Sequence, residues 1–549
     1  MRVLFVEHIQ VTLPIENLSA YLKREGHTVD AFFDPGLFDD SNFHWTRTAA
    51  FFSHKPLLLE KVADFQPDLI CFSVVTDYFD WAAEMATAIK SHFDVPVVIG
   101  GIHVTSVPEK VMTHPSFDFG IVGEGEEALA ELCEALEVGR PYEDIRNLAY
   151  KTDDRGGFHV NPQRPFIQDM DTLPHPDKDL LADVWLTHYD GRYHTIAARG
   201  CPHTCSYCCH SFLFKESRRQ GLGKYLRLKS VDYFLEELEL AKAKYPIKEV
   251  LIHDNVLTAD RRWFKEFAEK YPRRVGLPYF CWVDPNSIDE EIAGLLESSG
   301  CANAWIGVTR IPGQQDNVVN RKKFDKNMHA ALDALRKSQV YVMADNIVGL
   351  PKQTNRDVEN LIRMYLEHPV DHTVVFHIRY YPRIDLVKTA LESGDLTEDD
   401  VARIEASGGT KSFTMEDGNA DDELKRLCNL MLLCVIIPRR WTEWFLADKS
   451  RLRFVPKKSL FIYQQWLADI YARIRYGKKR IPIISDSRVI AYNYLRHMAQ
   501  RLTHRPRRIL APYVPQIRVV RPGTVLPASI AEVVDLPPKA AVDSEATAV

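Results

Sequence analysis

Two successive series of short apolar runs separated by amphipathic stretches fill most of the 549 residues, and this alternation most narrows the folds open to the chain. In the first series, residues 3–6, 69–75, 97–99 and 119–122 read as buried strands, with helices over 18–24, 78–91 and 126–136. Strands that are apolar on both faces belong to parallel sheets whose crossovers are helices. Residues 1–145 are therefore expected as a doubly wound, Rossmann-like α/β domain with its ligand at the carboxyl ends of the strands. Residues 146–190 are rich in Pro and Asp and read as an ordered linker. In the second series, strands over 194–198, 249–254, 279–282, 304–309, 341–347 and 372–380 alternate with helices over 231–243, 263–271, 290–298, 326–337 and 357–366. Six such units predict a partial (β/α)6 barrel over 191–400, with its chemistry at the C-terminal strand ends.

The remainder is helical and basic over 401–510, followed by a Pro-, Ala- and Val-rich tail over 511–549 that is expected to be flexible. Between Arg439 and Arg508 there are 18 Lys and Arg against 4 Asp and Glu, interleaved with aromatics such as Trp441, Trp444, Phe454 and Trp466. The plain reading is a helical cap over the barrel mouth with a solvated basic face. A second reading is peripheral contact with an anionic membrane, which basic faces mixed with Trp and Phe suit. A third is an anionic partner, but the net charge of −6 gives the whole chain no bias toward nucleic acid, and none is expected. The opening Met1-Arg2-Val3-Leu4-Phe5-Val6-Glu7 is too short an apolar run for an export signal, so a cytoplasmic location is expected.

Four of the ten cysteines fall between Cys201 and Cys209, a density that points to metal or catalysis in a reducing compartment. The run Arg199-Gly200-Cys201-Pro202-His203-Thr204-Cys205-Ser206-Tyr207-Cys208 has the spacing Cys-x3-Cys-x2-Cys and follows the first barrel strand. Three thiolates on one loop can hold three irons of a cubane and leave the fourth open to a small molecule. The competing reading is a closed zinc site, with His203, Cys209 or His210 as fourth ligand. Cys428 and Cys434, in an apolar helix, read as core residues, so a single cluster is expected.

The cysteine motif, with its aromatic before the last cysteine, resembles the signature of the radical S-adenosylmethionine superfamily. The resemblance implies Cys201, Cys205 and Cys208 as cluster ligands and Tyr207 against the adenine. It implies that S-adenosylmethionine chelates the open iron, that the reduced cluster breaks the sulfonium bond, and that a 5′-deoxyadenosyl radical takes a substrate hydrogen. It also implies an external reductant such as flavodoxin or ferredoxin. Ile347-Val348-Gly349-Leu350-Pro351 resembles the family's strand-plus-turn near the cofactor, with Gly349 permitting close approach. Trp305-Ile306-Gly307-Val308-Thr309-Arg310 departs from the family's Gly-Val-Glu-Ser-Gly: Thr309 replaces the acid, and Arg310 is a candidate for the S-adenosylmethionine carboxylate. Asp254, at a strand end on the same face, is a candidate contact, against the plain alternative of loop capping.

In the first domain, Gly100-Gly101-Ile102-His103-Val104-Thr105 is followed about twenty residues later by Gly123-Glu124-Gly125-Glu126. Small residues and free amides at adjacent strand ends make a slot, with a helix N-terminus for any phosphate. The combination is similar to the cobalamin-binding domain of cobalamin-dependent radical S-adenosylmethionine enzymes, a resemblance that covers about residues 1–400. It implies cobalamin contacts at Ser73, Thr76, Gly100, Gly101, Gly123 and Gly125. No Asp-x-His occurs in the chain, and the first strand ends Glu7-His8-Ile9, so no histidine is expected beneath cobalt. A methylthiotransferase acting on RNA is set aside, because its N-terminal domain carries three cluster cysteines and this one carries only Cys71 and Cys133. The family implies radical C-methylation of an unactivated carbon of an organic substrate that the sequence does not identify. The alternatives are a non-methylating oxidative cyclase, of the magnesium-protoporphyrin monomethyl ester type, and a cobalamin- or cluster-binding regulator without turnover.

Overall fold

A computed structural model describes residues 1–8, 13–38, 46–152, 157–182, 191–308, 318–320, 324–407 and 421–460, with isolated positions between 463 and 502. Thr309, Arg310 and the expected tail over 511–549 lie outside the described residues.

The first sheet contains β1 (Arg2–His8), β2 (Thr28–Asp34), β3 (Leu69–Ser73), β4 (Val97–Gly100), β5 (Phe119–Ile121), β6 (Leu148–Lys151) and β7 (Phe158–Val160), in spatial order β2-β1-β3-β4-β5-β6-β7. The first five strands are parallel and the last two antiparallel. Helices on both faces give two cores, one around Phe72, Ile99 and Phe117 and one around Phe5, Leu129 and Leu148. This is the doubly wound architecture, with two corrections. Residues 148–160 extend the sheet as a hairpin rather than beginning a linker; β6 is tied to β5 through Ala149 opposite Gly120. β2 was not foreseen: it is an edge strand in which Asp30 interrupts the apolar run of Val29, Ala31, Phe32 and Phe33.

The true connector packs tightly between the domains. Lys178 is buried, forming an ion pair with Glu16 of the first domain and donating to the His194 carbonyl at 2.7 Å.

The second sheet holds β8 (Arg192–Thr195), β11 (Glu249–Ile252), β12 (Tyr279–Val283), β13 (Cys301–Val308), β14 (Tyr341–Val348) and β15 (His372–His377), all parallel and in consecutive order. A hairpin of β9 (Ala198–Arg199) and β10 (Arg227–Leu228) sits at its β8 end. Helix starts are written in the sequence: Asp260 accepts from the amides of Arg262 and Trp263, and Thr354 with Asp357 forms a capping box. The helices bury Phe234, Phe264, Leu332 and Leu361 against the outer faces of the strands.

The helix Asp422–Leu433, expected as part of a cap over the mouth, covers the flank of the sheet, and Arg501 Nε reaches the Ser53 carbonyl of the first domain at 2.7 Å. The helix Asp422–Leu433 sinks Leu427, Cys428, Leu430 and Met431 into the same helix-side core, and the Thr373 hydroxyl of β15 donates to the Met431 carbonyl at 2.9 Å. β15 ends an open sheet, so its flank needs an apolar cover more than the mouth needs a lid. Cys434 is buried in the same core, while Trp441, Trp444 and Phe454 remain exposed. No described helix is long and apolar enough to cross a membrane.

Candidate active site at the junction of the two sheets

The cysteine loop leaves the β9 strand through Gly200, whose φ of +91° and absent side chain are both required: a Cβ there would stand 2.3 Å from the Tyr225 carbonyl oxygen. From this point the loop is pinned on every side. The Ser206 amide donates to the Val319 carbonyl at 3.2 Å, the Ser206 carbonyl accepts from Leu386 at 2.9 Å, and His203 Nε2 lies 3.3 Å from the buried Asp284 at the end of β12. Cys205 is buried and Cys201 and Cys208 half-buried, and a turn closes between them, with the Cys208 amide on the Cys205 carbonyl at 3.0 Å. Burial first, and then Cys209, Cys201 and Cys208, push the Tyr225 hydroxyl upward. Three thiols held on one loop fit an iron–sulfur cluster with an open iron.

Cys208, Cys209 and His210 place their ligand atoms within 4.8 Å of one another, which is the geometry of the zinc alternative. That group offers three ligands where a structural zinc site closes with four. His210 Nδ1 is moreover engaged with the Tyr225 hydroxyl at 2.5 Å. The Cys209 thiol is pushed up by its hydrogen bond with Cys208 and by burial.

Tyr207 packs with Val318, Val319, Leu350 and Ile384, between the cysteine loop and the end of β14. Gly349 (φ +75°) leaves room for the His377 ring, which a Cβ would meet at 2.4 Å. Its amide is already bound by Gln353 Oε1 at 2.5 Å, so Gly349 serves the packing of the turn and offers no free amide to a ligand. Asp254 is likewise committed. It is 2% exposed, and its Oδ1 accepts the amides of Ala197 and Ala198 at 2.8 and 3.0 Å. Burial pushes its pKa up to about 6, against the pull of those two amides. The structure shows the capping that was the alternative for this residue: Asp254 Oδ1 holds the backbone that leads into the cysteine loop.

A cavity of about 640 Å³ lies at the carboxyl ends of β3, β4 and β5, open toward the second sheet. Ser73, Gly100, Gly101, Gly123 and Gly125 line it, together with apolar side chains such as Leu18, Ile121 and Leu129. A Cβ on Gly100 would meet nothing closer than 3.7 Å, so the fold does not need that glycine, and its bareness serves the cavity. Gly101 is different: at φ +102° its Cβ would be 2.3 Å from the Val74 carbonyl oxygen. Thr76 is not on the wall. It is buried behind it, with its hydroxyl 3.3 Å from His103 Nδ1. Thr105 binds the two glycine loops together, donating to the Gly101 carbonyl at 2.9 Å and accepting from the Gly123 amide at 3.0 Å. The His and Thr of the motif thus brace the loops, while the glycines form the slot. His8 is outside the cavity lining, packed 4.5 Å from Tyr78 and 4.8 Å from Trp81. A glycine-floored, largely apolar slot at parallel strand ends fits the inserted part of a cobalamin.

Sequence reasoning missed the residues that join the two sites. Arg199, two positions before Cys201, pairs with Glu124 at 3.2 Å and with Glu126; Arg227, across the β9–β10 hairpin, holds Glu124 at 2.7 and 3.0 Å. Burial works to raise the Glu124 carboxyl, but Arg227 and Arg199 outweigh it and hold it below the ordinary range. The two acids of Gly-Glu-Gly-Glu are thus neutralised by two arginines of the barrel. The clue was Arg199 standing beside the cysteine motif. His253, at the end of β11, lines the cavity from the barrel side, its Nε2 2.8 Å from His194 Nδ1. Burial lowers its pKa to about 4, so it stays neutral at physiological pH.

Residues 3–133 match the B12 binding domain family and residues 195–365 the radical SAM superfamily. With the glycine slot and the three-cysteine loop in this order, the chain belongs to the cobalamin-dependent radical S-adenosylmethionine enzymes. It is 27% identical over 334 residues to an uncharacterized methyltransferase of Pyrococcus horikoshii, covering 60% of this chain and 71% of that one. It is 25% identical over 360 residues to the anaerobic magnesium-protoporphyrin IX monomethyl ester cyclase of Rubrivivax gelatinosus, covering 63% and 60%. In fold it is similar to the methyltransferase TsrM of Kitasatospora setae with cobalamin and a [4Fe–4S] cluster bound, with a TM-score of 0.61, 17% identity, and coverage of 89% of this chain and 99% of that one.

Proposed function

We propose that the protein is a radical C-methyltransferase acting on an unactivated carbon of an organic substrate bound in the barrel lumen. The observation that carries this reading is the shared wall: the glycine slot of the first domain opens onto the same face of the second sheet that the cysteine loop overhangs, with Arg199 and His253 at the boundary. When bound, the cluster with S-adenosylmethionine supplies a hydrogen-abstracting radical and cobalamin supplies a methyl donor. Cys201, Cys205 and Cys208 would hold the cluster, and Tyr207 would flank S-adenosylmethionine. Ser73, Gly100, Gly101, Gly123 and Gly125 would hold cobalamin. Thr309 and Arg310 stand as candidate contacts to S-adenosylmethionine. The Glu124–Arg199–Arg227 clasp fixes the distance between the two groups, and the apolar lumen keeps water from a carbon radical. The electron comes from an external reductant protein of the flavodoxin or ferredoxin kind. The reading places the enzyme in the cytoplasm, with the exposed Trp441, Trp444 and Phe454 as its candidate contact with a membrane surface.

The test is anaerobic turnover of the protein reconstituted with iron, sulfide and cobalamin, supplied with methyl-labelled S-adenosylmethionine and a strong reductant. Both 5′-deoxyadenosine and S-adenosylhomocysteine, with label entering cobalamin, are expected. 5′-Deoxyadenosine alone would move the protein to the cyclase type, which the 25% identity to the Rubrivivax cyclase keeps as the second reading. Neither product, with substrate present and the cluster intact, would leave a regulator.

A further inference from the structure

Three polar atoms on the lumen face of β13 and β14 are out of solvent and have no hydrogen-bond partner among the described residues: Oδ1 of Asp345, the indole Nε1 of Trp305, and Oδ1 of Asn303, whose amide nitrogen lies 3.2 Å from Met343 Sδ. Their direction follows from strand alternation. Tyr279, Cys281 and Val283 of β12, Ile306 and Val308 of β13, and Val342, Ala344 and Val348 of β14 enter the helix-side core. Phe280, Trp282, Trp305, Gly307, Met343 and Asp345 therefore face the lumen. The rings form a continuous wall: Phe280 lies 4.9 Å from Trp282 and 5.3 Å from Trp305, and Trp282 lies 5.5 Å from Trp305. The wall runs on to His253, 5.1 Å from Trp282, and so reaches the interdomain cavity.

Asp345 stands at the other side of this wall. In register it pairs with Gly307 on β13 and Val374 on β15. Gly307 has no side chain, so β13 places nothing in front of the carboxyl. Its neighbour in sequence shows what the fold does with a polar group it uses: Asn346, pointing the other way, donates to the Val374 carbonyl at 2.9 Å and accepts from the Tyr365 hydroxyl at 2.6 Å. Asp345 has no such bonds. Burial, the sole resolved cause, pushes its pKa up to about 7. Asp345 is half-buried, and its Oδ1, out of solvent in an otherwise apolar wall, lacks the partner that a buried oxygen needs. Its presence there is accounted for by a ligand that supplies the missing partner.

We propose that Asp345 anchors the substrate: the lumen takes a flat unsaturated body against Phe280, Trp282 and Trp305, with a basic nitrogen on Asp345 and an acceptor atom on the Trp305 indole N–H. A carboxylate without a described counter-ion favours a cation over a neutral or anionic group, and the aromatic faces add to that preference. This assignment rests on the reading of the lumen as the substrate site.

The test uses the full-length reconstituted protein with S-adenosylmethionine and no reductant, so that binding is read without turnover. The probes are 2-naphthylmethylamine, 2-naphthylmethanol and 2-naphthoic acid, followed by calorimetry. The amine is expected to bind about tenfold or more tighter than the alcohol, and the acid more weakly than either. In Asp345→Asn the amine should fall to the affinity of the alcohol, whose own binding is unchanged; Asp345→Ser serves if the Asn variant does not fold. Equal binding of amine and alcohol by the wild type, a preference for the acid, or an amine preference that survives in both variants would overturn the assignment. Labelled-methyl turnover separates this outcome from the function itself: methyl transfer without amine selectivity removes the anchor and keeps the methyltransferase, and amine selectivity without transfer does the reverse.

Discussion

Removing the carboxylate that holds the start of the cysteine loop should free two amides without necessarily unfolding the barrel. In Asp254→Ala the amides of Ala197 and Ala198 lose the Oδ1 acceptor that now lies 2.8 and 3.0 Å away. Orphaning two buried amides costs about 2–6 kcal/mol at 1–3 kcal/mol each. Against this, the wild-type carboxyl is itself strained by burial. A pKa of about 6 in place of 3.8 corresponds to about 3 kcal/mol of lost stability above pH 6. The two effects nearly offset each other at neutral pH, so global unfolding is a poor reporter and local exchange a good one. Amide exchange read by mass spectrometry over residues 192–200 should accelerate in Asp254→Ala, and the cluster should be lost faster on exposure to chelator. Asp254→Asn keeps an acceptor oxygen and removes the charge, so protection should be retained. The sign of its pH dependence follows from the raised pKa: the folded wild type binds the proton more tightly than the unfolded chain, so the wild type loses stability as pH rises from about 4 to about 6. The Asn variant does not, and should gain up to about 3 kcal/mol over wild type by pH 8 and nothing at pH 4. Unchanged exchange at residues 192–200 in Asp254→Ala, or an Asn variant less stable than wild type at pH 8, would refute the capping role.

Metal content separates an iron–sulfur cluster from zinc. Iron and the cluster's visible absorbance should be lost in Cys205→Ala and retained in Cys209→Ala, whereas a colourless wild type that holds zinc in place of iron would establish the zinc site. Gly101→Ala should destabilise the first domain by about 1–3 kcal/mol and lower retained cobalamin at least tenfold, because its Cβ meets Val74 at 2.3 Å in a positive-φ backbone. Gly100→Ala should leave thermal stability unchanged and reduce cobalamin alone, as read by absorbance after gel filtration. Arg199→Met leaves Glu126 without its buried partner, a change that costs about 3–5 kcal/mol. Limited proteolysis between the domains should speed up, while the cluster still assembles in the isolated loop.

The fold was legible where burial on both faces forces continuous apolar runs, as in β3 and β14. It was not legible at the edges. β2 is an edge strand whose apolar run is broken by Asp30, and β6 and β7 lie in a Pro- and Asp-rich stretch that resembles linker in composition although β6 pairs with β5 and β7 with β6. The cysteine loop was legible because thiol spacing is local chemistry. The glycines of the slot were legible for the same reason. Thr76 and Asp254 stand at the expected strand ends, but their side chains bond to a neighbouring loop, and the Gly349 amide is taken by Gln353, because position along a strand does not fix which partner a group finds. Thr309 and Arg310 fall outside the described residues.

What sequence could not show is the junction between the sites, because its ion pairs join residues 73 to 103 positions apart. Gly-Glu-Gly-Glu reads as a phosphate loop by its glycines, yet its two carboxylates alone would repel an anion. Arg199 and Arg227 remove that repulsion, and both belong to the hairpin from which the cysteine loop hangs. One set of ion pairs therefore makes the slot acceptable to a polar cofactor tail and fixes the cysteine loop relative to it. Buried charge of this kind contributes little net stability, since desolvation takes back most of the attraction. Its effect is geometric: a rigid-body shift between the domains would expose or unpair two acids and two arginines together. The lumen wall of Phe280, Trp282 and Trp305 ends at His253 on this same boundary, so a substrate seated there touches the barrel on one side and the slot's opening on the other. A reaction that needs a radical from one group and a methyl group from another at a single carbon requires this adjacency, and the clasp is the element that maintains it.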